Sequence, residues 1–200
     1  MRSRRRSSKA IGSTSDIAAV SLTGRSITEP DVAYGRGVAR VRLHNDDLGY
    51  ETNCFVCEQR NPSGLAIPFF HDTERQLVSA EFSLSDAYSG APTLVHGGVV
   101  LAILDEAMAW ACIAVARHWA VTSETSARFH RAVYVDKPHR VEAIVEAETD
   151  GEIATTARVL NPKGVVRVEA SATFTKLGEA QIKRAVGETG DALDPSMRLD

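Results

Sequence analysis

The stretch LVHGGVVLAILDEAMAWACIAVA, residues 94–116, decides the fold. From Gly97 to about Arg117 it reads as one long helix that is apolar on almost every side. Such a helix is buried rather than laid on a surface. Two carboxylates, Asp105 and Glu106, stand in its middle. An ionised carboxylate buried without a partner is costly enough that it shifts its pKa or has a function. The positions three and four residues away are Leu101, Ala102, Ile103, Met108, Ala109 and Trp110, so no salt bridge along the helix neutralises either acid.

The surroundings of this helix read as strands. Leu65 to His71 is predicted as one strand and Gln76 to Leu84 as another, the second by its clean alternation of Val78, Ala80, Phe82 and Leu84 against Leu77, Ser79, Glu81 and Ser83. SDAYSGAPT, residues 85–93, reads as a loop. Downstream lie Ala120 to Val135, Arg140 to Leu160 split by a turn at Asp150-Gly151, and Val165 to Leu177 after the turn Asn161-Pro162-Lys163-Gly164. The short connections make these late strands antiparallel. Residues 38–51 read as a short strand or a short helix leading in, and CEQRNPSG is turn-rich. The class is α+β: an antiparallel sheet curled about one buried helix, whose far side needs a further cover. A second copy of the chain is the economical cover.

Composition limits the alternatives. A net charge of −3 gives no general reason to expect nucleic acid. No apolar run reaches the roughly 20 residues of a membrane span. Three cysteines, Cys54, Cys57 and Cys112, suit a reducing compartment better than a secreted disulfide framework, so a cytoplasmic location is expected. Residues 1–37 hold seven Arg or Lys against three Asp or Glu and read as a flexible basic extension. The opening MRSRRRSSKAIGSTS has some transit-peptide character, but it lacks the apolar stretch of a twin-arginine signal. The main domain is expected over 38–178. Residues 179–200 form a tail with a weak helical signal.

The chemistry gathers at the ends and middle of the long helix. Gly97 and Gly98 let the backbone approach a ligand closely. The first N–H groups of a helix have no intrahelical partner and lie at the positive end of its dipole, ready for an anion or oxyanion. His96 precedes them as a donor or a cap. Asp105 and Glu106 are the candidate bases or nucleophiles. Eight residues of helix separate Gly97 from Asp105, a rise of about 12 Å. A base and an oxyanion donor must both lie within about 3 Å of one reacting group. If both serve one site, they come from two antiparallel copies of the helix, across a homodimer interface.

CFVCEQRNPSGLAI, HGGVVLAILDEAMAWA and VTSETSARFHR together resemble the hotdog-fold acyl-CoA thioesterases of the PaaI-like branch, over about residues 52–177. The resemblance implies a curved antiparallel sheet wrapped around one long central helix, dimerising into a continuous sheet, with pairing into a dimer of dimers. It implies Asp105 as base or nucleophile, the Gly97 N–H as oxyanion donor from the partner subunit, and Thr122 as a water-positioning hydroxyl. An aromatic residue is frequent in the family where Phe129 stands. Many members have Asn or Gln where this chain has Gly90, and another branch with Gly there pairs the Asp with a Thr. Many also have a proline where this chain has Ala132.

Other residues divide between plain and functional readings. Glu106 reads as a structural carboxylate bonded to backbone or to the partner chain, and His96 as a positioning residue. Arg128, His130 and Arg131 are candidates for the phosphates of an acyl-CoA, as Gly98 is for close contact with substrate. Alternation puts Arg128 and His130 on one face and Arg131 on the other. Cys54-Phe55-Val56-Cys57 reads as a plain hairpin segment: zinc asks for about four ligands and no second cysteine pair exists, and the redox reading lacks its βαβ context. No metal and no cofactor are expected. The function expected is hydrolysis of an acyl-CoA thioester. The alternatives are a catalytically silent acyl-CoA sensor on the same fold and a hydratase of enoyl-CoA, against which the spacing from HGG to Asp105 speaks.

Overall fold

The computed structural model describes residues 40–187; the expected basic extension over 1–37 and the chain beyond 187 lie outside them. Along the chain come β1 (Arg40–Arg42), β2 (Phe70–Asp72), β3 (Leu77–Phe82), β4 (Ser89–Ala91), β5 (Leu94–Val95), α1 (Gly97–Ala114), β6 (Ala120–Phe129), β7 (His139–Glu148), β8 (Glu152–Leu160), β9 (Val166–Lys176) and α2 (Glu179–Val186). Seven strands form one antiparallel sheet in the order β1-β2-β3-β7-β8-β9-β6, and β4 pairs with β5 in a separate small hairpin.

The pairing register explains both faces of the sheet. Val78, Ala143, Ala157, Ala170 and Ala127 stand opposite one another across five strands, and so do Ala80, Val141, Val159, Val168 and Phe129. These rows belong, nearly throughout, to the same core as Ile103, Leu104, Ala107, Met108 and Ala111 of α1. The alanines let the helix backbone sit close to the sheet. Ile103, Leu104 and Met108 are fully buried, each burial stabilising the fold by about 1.5–3 kcal/mol. The row between these two carries the opposite chemistry: Ser79, Glu142, Arg158, Glu169 and Arg128 run across the other face with charges alternating in sign. Within it Glu142 is buried, and its carboxylate takes Arg140 Nη2 at 2.9 Å and Arg158 Nη2 at 2.9 Å.

α1 is apolar enough, with mean hydropathy 1.6 over 18 residues, to cross a bilayer by composition alone, but half of it is buried within this protein. It ends at Ala114, three residues before the expected Arg117. Arg117 is left-handed, with φ of 61°, and the terminal carbonyls are taken by Ala116 N–H to Ala111 O and His118 N–H to Cys112 O.

Several expectations need correction. The strand expected over Leu65–His71 is regular only from Phe70. Upstream, the Leu65 and Ile67 N–H groups donate to Phe55 O at 2.7 Å and Val56 O at 2.9 Å, and Pro68 has no N–H to give. Cys54–Cys57 is a turn clamped by those bonds, not a hairpin of strands. The expected loop 85–93 contains β4. The strand expected to reach Val135 leaves the sheet after Phe129, where the His130 and Arg131 N–H groups both donate to Arg167 O. Residues 38–51, read as strand or helix, contain β1 and a single 3-10 turn at Asn45–Leu48.

Candidate active site

The N-terminus of α1 is prepared by its own cap. His96 is the N-cap, and its Nδ1 accepts from the Gly98 N–H at 2.9 Å. Its backbone N–H donates to Tyr88 O at 2.8 Å. Gly90 makes room for it: a Cβ there would lie 3.1 Å from His96 Cα. With Nδ1 committed as acceptor, His96 positions the helix start and keeps only Nε2 for a ligand. The Gly98 N–H is thereby used. The Gly97 N–H has no hydrogen-bond partner among the described residues and is exposed. It is one of the unsatisfied donors at the positive end of the helix dipole.

Gly97 is not required to be glycine by its backbone, since its φ is not positive. Nor does the chain crowd it: a Cβ at Gly97 would meet Phe129 Cζ at 3.7 Å, an ordinary contact. The missing side chain leaves space at the exposed helix start.

Asp105 lies two turns further along the helix, half-buried, and Thr122 Oγ1 donates to its Oδ1 at 2.8 Å. β6 thus brings Thr122 to Asp105 at one end and Phe129 to Gly97 at the other. Thr122 sits beside a register shift between Thr122 and Glu124. Within one chain, Asp105 and Gly97 remain separated by about 12 Å of helix rise.

The proposed phosphate-binding residues lie elsewhere. Arg128 stands opposite Glu169, in the row facing away from α1, and His130 Nε2 lies 2.6 Å from Glu169 Oε2. Arg128, Arg158, Glu169 and Ser171 line a shallow groove of about 560 Å³ on that face. Arg131 is exposed just beyond β6. The strand leaves all three near the Gly97 end of the helix, and the structure does not bring Arg128 or His130 to the Asp105 carboxylate.

Glu106 turns away from Asp105, as a neighbouring helix position must. Within the chain its bond is to a side chain rather than to the backbone: Cys54 Sγ donates to Glu106 Oε2 at 3.4 Å. Burial, with the Cys54 sulfur beside it, pushes the Glu106 carboxyl up to about 8. The Cys57 thiol, hydrogen-bonded to Cys54, holds the Cys54 thiol down at about 5. No local sequence signal could find this pairing, because its members are 52 residues apart.

The strand at the sheet's edge is open. β6 has one hydrogen-bonded neighbour, β9, among the described residues. Nine of its ten residues are exposed, including Val121 at 49% and Phe129 at 49%. An exposed edge of this length, with apolar side chains, is a template for pairing with another strand.

A family profile described as the thioesterase superfamily matches residues 93–168. Among solved structures, a thioesterase superfamily protein resembles the chain with a TM-score of 0.54 and 23% identity, over 57% of this chain and 56% of that one. The chain therefore spans little more than half the length of that relative. A phenylacetic acid degradation-related protein from Ralstonia eutropha JMP134 gives a TM-score of 0.50 and 20% identity, over 56% of this chain and 85% of that one. The PaaI protein of the E. coli phenylacetic acid degradation operon gives 0.49 and 16%, over 52% and 74%. At these identities the likeness is one of fold. No curated protein sequence matches the chain.

Proposed function

We propose that this chain, which the thioesterase superfamily profile matches over residues 93–168 and whose fold resembles that of a solved member, is a hotdog-fold acyl-CoA thioesterase that works as a homodimer. The observation that carries the reading is the Thr122–Asp105 hydrogen bond of 2.8 Å, which orients a half-buried carboxylate that no cation neutralises among the described residues. Asp105 is the base that takes a proton from water, or the nucleophile that forms an acyl-aspartyl intermediate. In the first case the water oxygen attacks the thioester carbonyl, the C–S bond of the tetrahedral intermediate breaks, and CoA leaves as its thiol. Thr122 holds the carboxylate in line and offers its oxygen to the water.

The developing oxyanion needs donors where the charge appears. The unpartnered Gly97 N–H at the helix start is suited to this, with Gly98 and the His96 cap fixing its direction. A rise of about 12 Å keeps this donor from the Asp105 of its own chain, so the site combines Gly97 of one subunit with Asp105 of the other. The exposed edge of β6, flanked by exactly these two groups' neighbours Thr122 and Phe129, supports dimerisation through that strand. Arg128, His130 and Arg131 lie near the Gly97 end, where the phosphates of a long CoA chain have cations to meet; pairing of two dimers would build on the same unit.

The test is release of free thiol by the purified protein from a panel of aliphatic and aromatic acyl-CoA esters, with binding followed in parallel. Turnover of at least one ester supports the reading. Binding without turnover across the panel would replace it with a silent acyl-CoA sensor.

A further inference from the structure

About 100° round α1 from Asp105, three ligand atoms from distant parts of the chain meet. Cys54 Sγ, Cys57 Sγ and a carboxylate oxygen of Glu106 all lie within 4.8 Å of one another. Cys54 Sγ is 3.4 Å from Glu106 Oε2. A tetrahedral zinc ion, with Zn–S of about 2.3 Å and Zn–O of about 2.0 Å, holds a sulfur and an oxygen ligand about 3.5 Å apart and two sulfurs about 3.8 Å apart. The cluster needs only small side-chain movements to reach that spacing.

The surroundings favour sulfur as thiolate. The Val56 and Cys57 N–H groups donate to Cys54 Sγ at 3.3 and 3.4 Å, and Asn45 Nδ2 donates to Cys57 Sγ at 3.2 Å. Donors directed at the ligand atoms are the outer support a metal site requires. Glu106, meanwhile, makes no ion pair among the described residues. A carboxylate set beside two thiols on a core helix lacks the cation that would balance it.

We propose that Cys54, Cys57 and Glu106 bind one zinc ion, with water in the fourth position. Two thiolates select a borderline-soft ion over magnesium or calcium. Two S–Zn bonds and one carboxylate O–Zn bond replace bonds from the hydrated ion to water, and the protons held by the two cysteines and by Glu106 pass to solvent. The ion staples residues 49–69, which contain no helix or sheet strand, to the helix residue next to Asp105. It thus fixes the back of the candidate active site and takes no part in the thioester chemistry.

The experiment uses the full chain, purified reduced and without chelator, and titrated with Co²⁺ as a spectroscopic substitute. One equivalent should bind with thiolate-to-cobalt charge-transfer absorption, and Zn²⁺ should displace it. Glu106→Gln, which keeps the shape, should weaken binding by about tenfold or more, and Cys57→Ser should remove most of the charge-transfer band. Should the cysteine variants fail to fold, the wild type still decides: Zn²⁺ should slow alkylation of half-buried Cys54, mapped by mass spectrometry, by about tenfold or more. The proposal is overturned if reduced, folded wild type takes up neither ion at micromolar concentration, if Glu106→Gln binds as tightly as wild type, or if Zn²⁺ leaves Cys54 alkylation unchanged.

Discussion

Mixing two inactive variants tests whether the site is shared between subunits. Gly97→Pro removes the candidate oxyanion donor. The backbone accepts this change on three counts: Gly97 opens the helix, its N–H has no partner among the described residues, and His96 has φ −59° and ψ 132°, the conformation a residue before proline prefers. Loss of one oxyanion donor costs about 10²- to 10³-fold in kcat. Asp105→Asn removes the base, at a cost of about 100-fold or more. Each homodimer is therefore nearly inactive. After subunit exchange at equal concentrations, about half of the dimers are hybrids. In a hybrid, one site carries both lesions, and the other combines an intact Gly97 with an intact Asp105. Half of the sites in half of the dimers recover, so activity should rise to about a quarter of wild type. The assay is thiol release on the best ester, with circular dichroism and light scattering showing that both variants are folded and dimeric. Verified hybrids as inactive as their parents would refute a site built from two chains.

Thr122→Ala should lower kcat less than Asp105→Asn does, because a positioning hydroxyl assists a base that is still present; thiol-release kinetics check the order. Glu142→Gln should destabilise the fold by about 3 kcal/mol in a urea titration, since it leaves Arg140 and Arg158 around a buried neutral group. Acid should weaken the fold early. Burial lowers the His71 and His139 imidazoles below their ordinary 6.5, and for His71 Arg117 adds to the effect. The unfolded chain then binds the extra protons first, so the stabilisation is complete above about 6.5 and is lost as pH falls through 6.5 toward the folded values; melting temperatures between pH 7.5 and 5.5 should decline accordingly.

Local pattern made the architecture legible. The alternation in β3, the apolar surface of α1 and the turns at Asp150-Gly151 and Asn161–Gly164 describe elements that form from neighbours in sequence. The position of β6 was not legible, because its pairing with β9 rather than with β7 is a matter of nonlocal register. That register also places Arg128 at the end of a row of alternating charges on the outer face, a position that local pattern does not show. The helix start could be read from HGG because capping is local, whereas the Thr122–Asp105 bond was reachable only through the family resemblance. In sequence the Cys54 and Cys57 turn has no second cysteine pair to complete a metal site. Its third ligand is a glutamate on a helix that packs against the turn only in the folded chain.

The central claim is that the Asp105 carboxylate performs the chemistry. Its most direct test is kcat/KM of Asp105→Asn against wild type on the best acyl-CoA ester, measured together with the melting temperature and the Kd for that ester. The account predicts a fall of about 100-fold or more with melting temperature and Kd preserved. Retention of activity within a few-fold, or loss of activity only in step with unfolding, would contradict it.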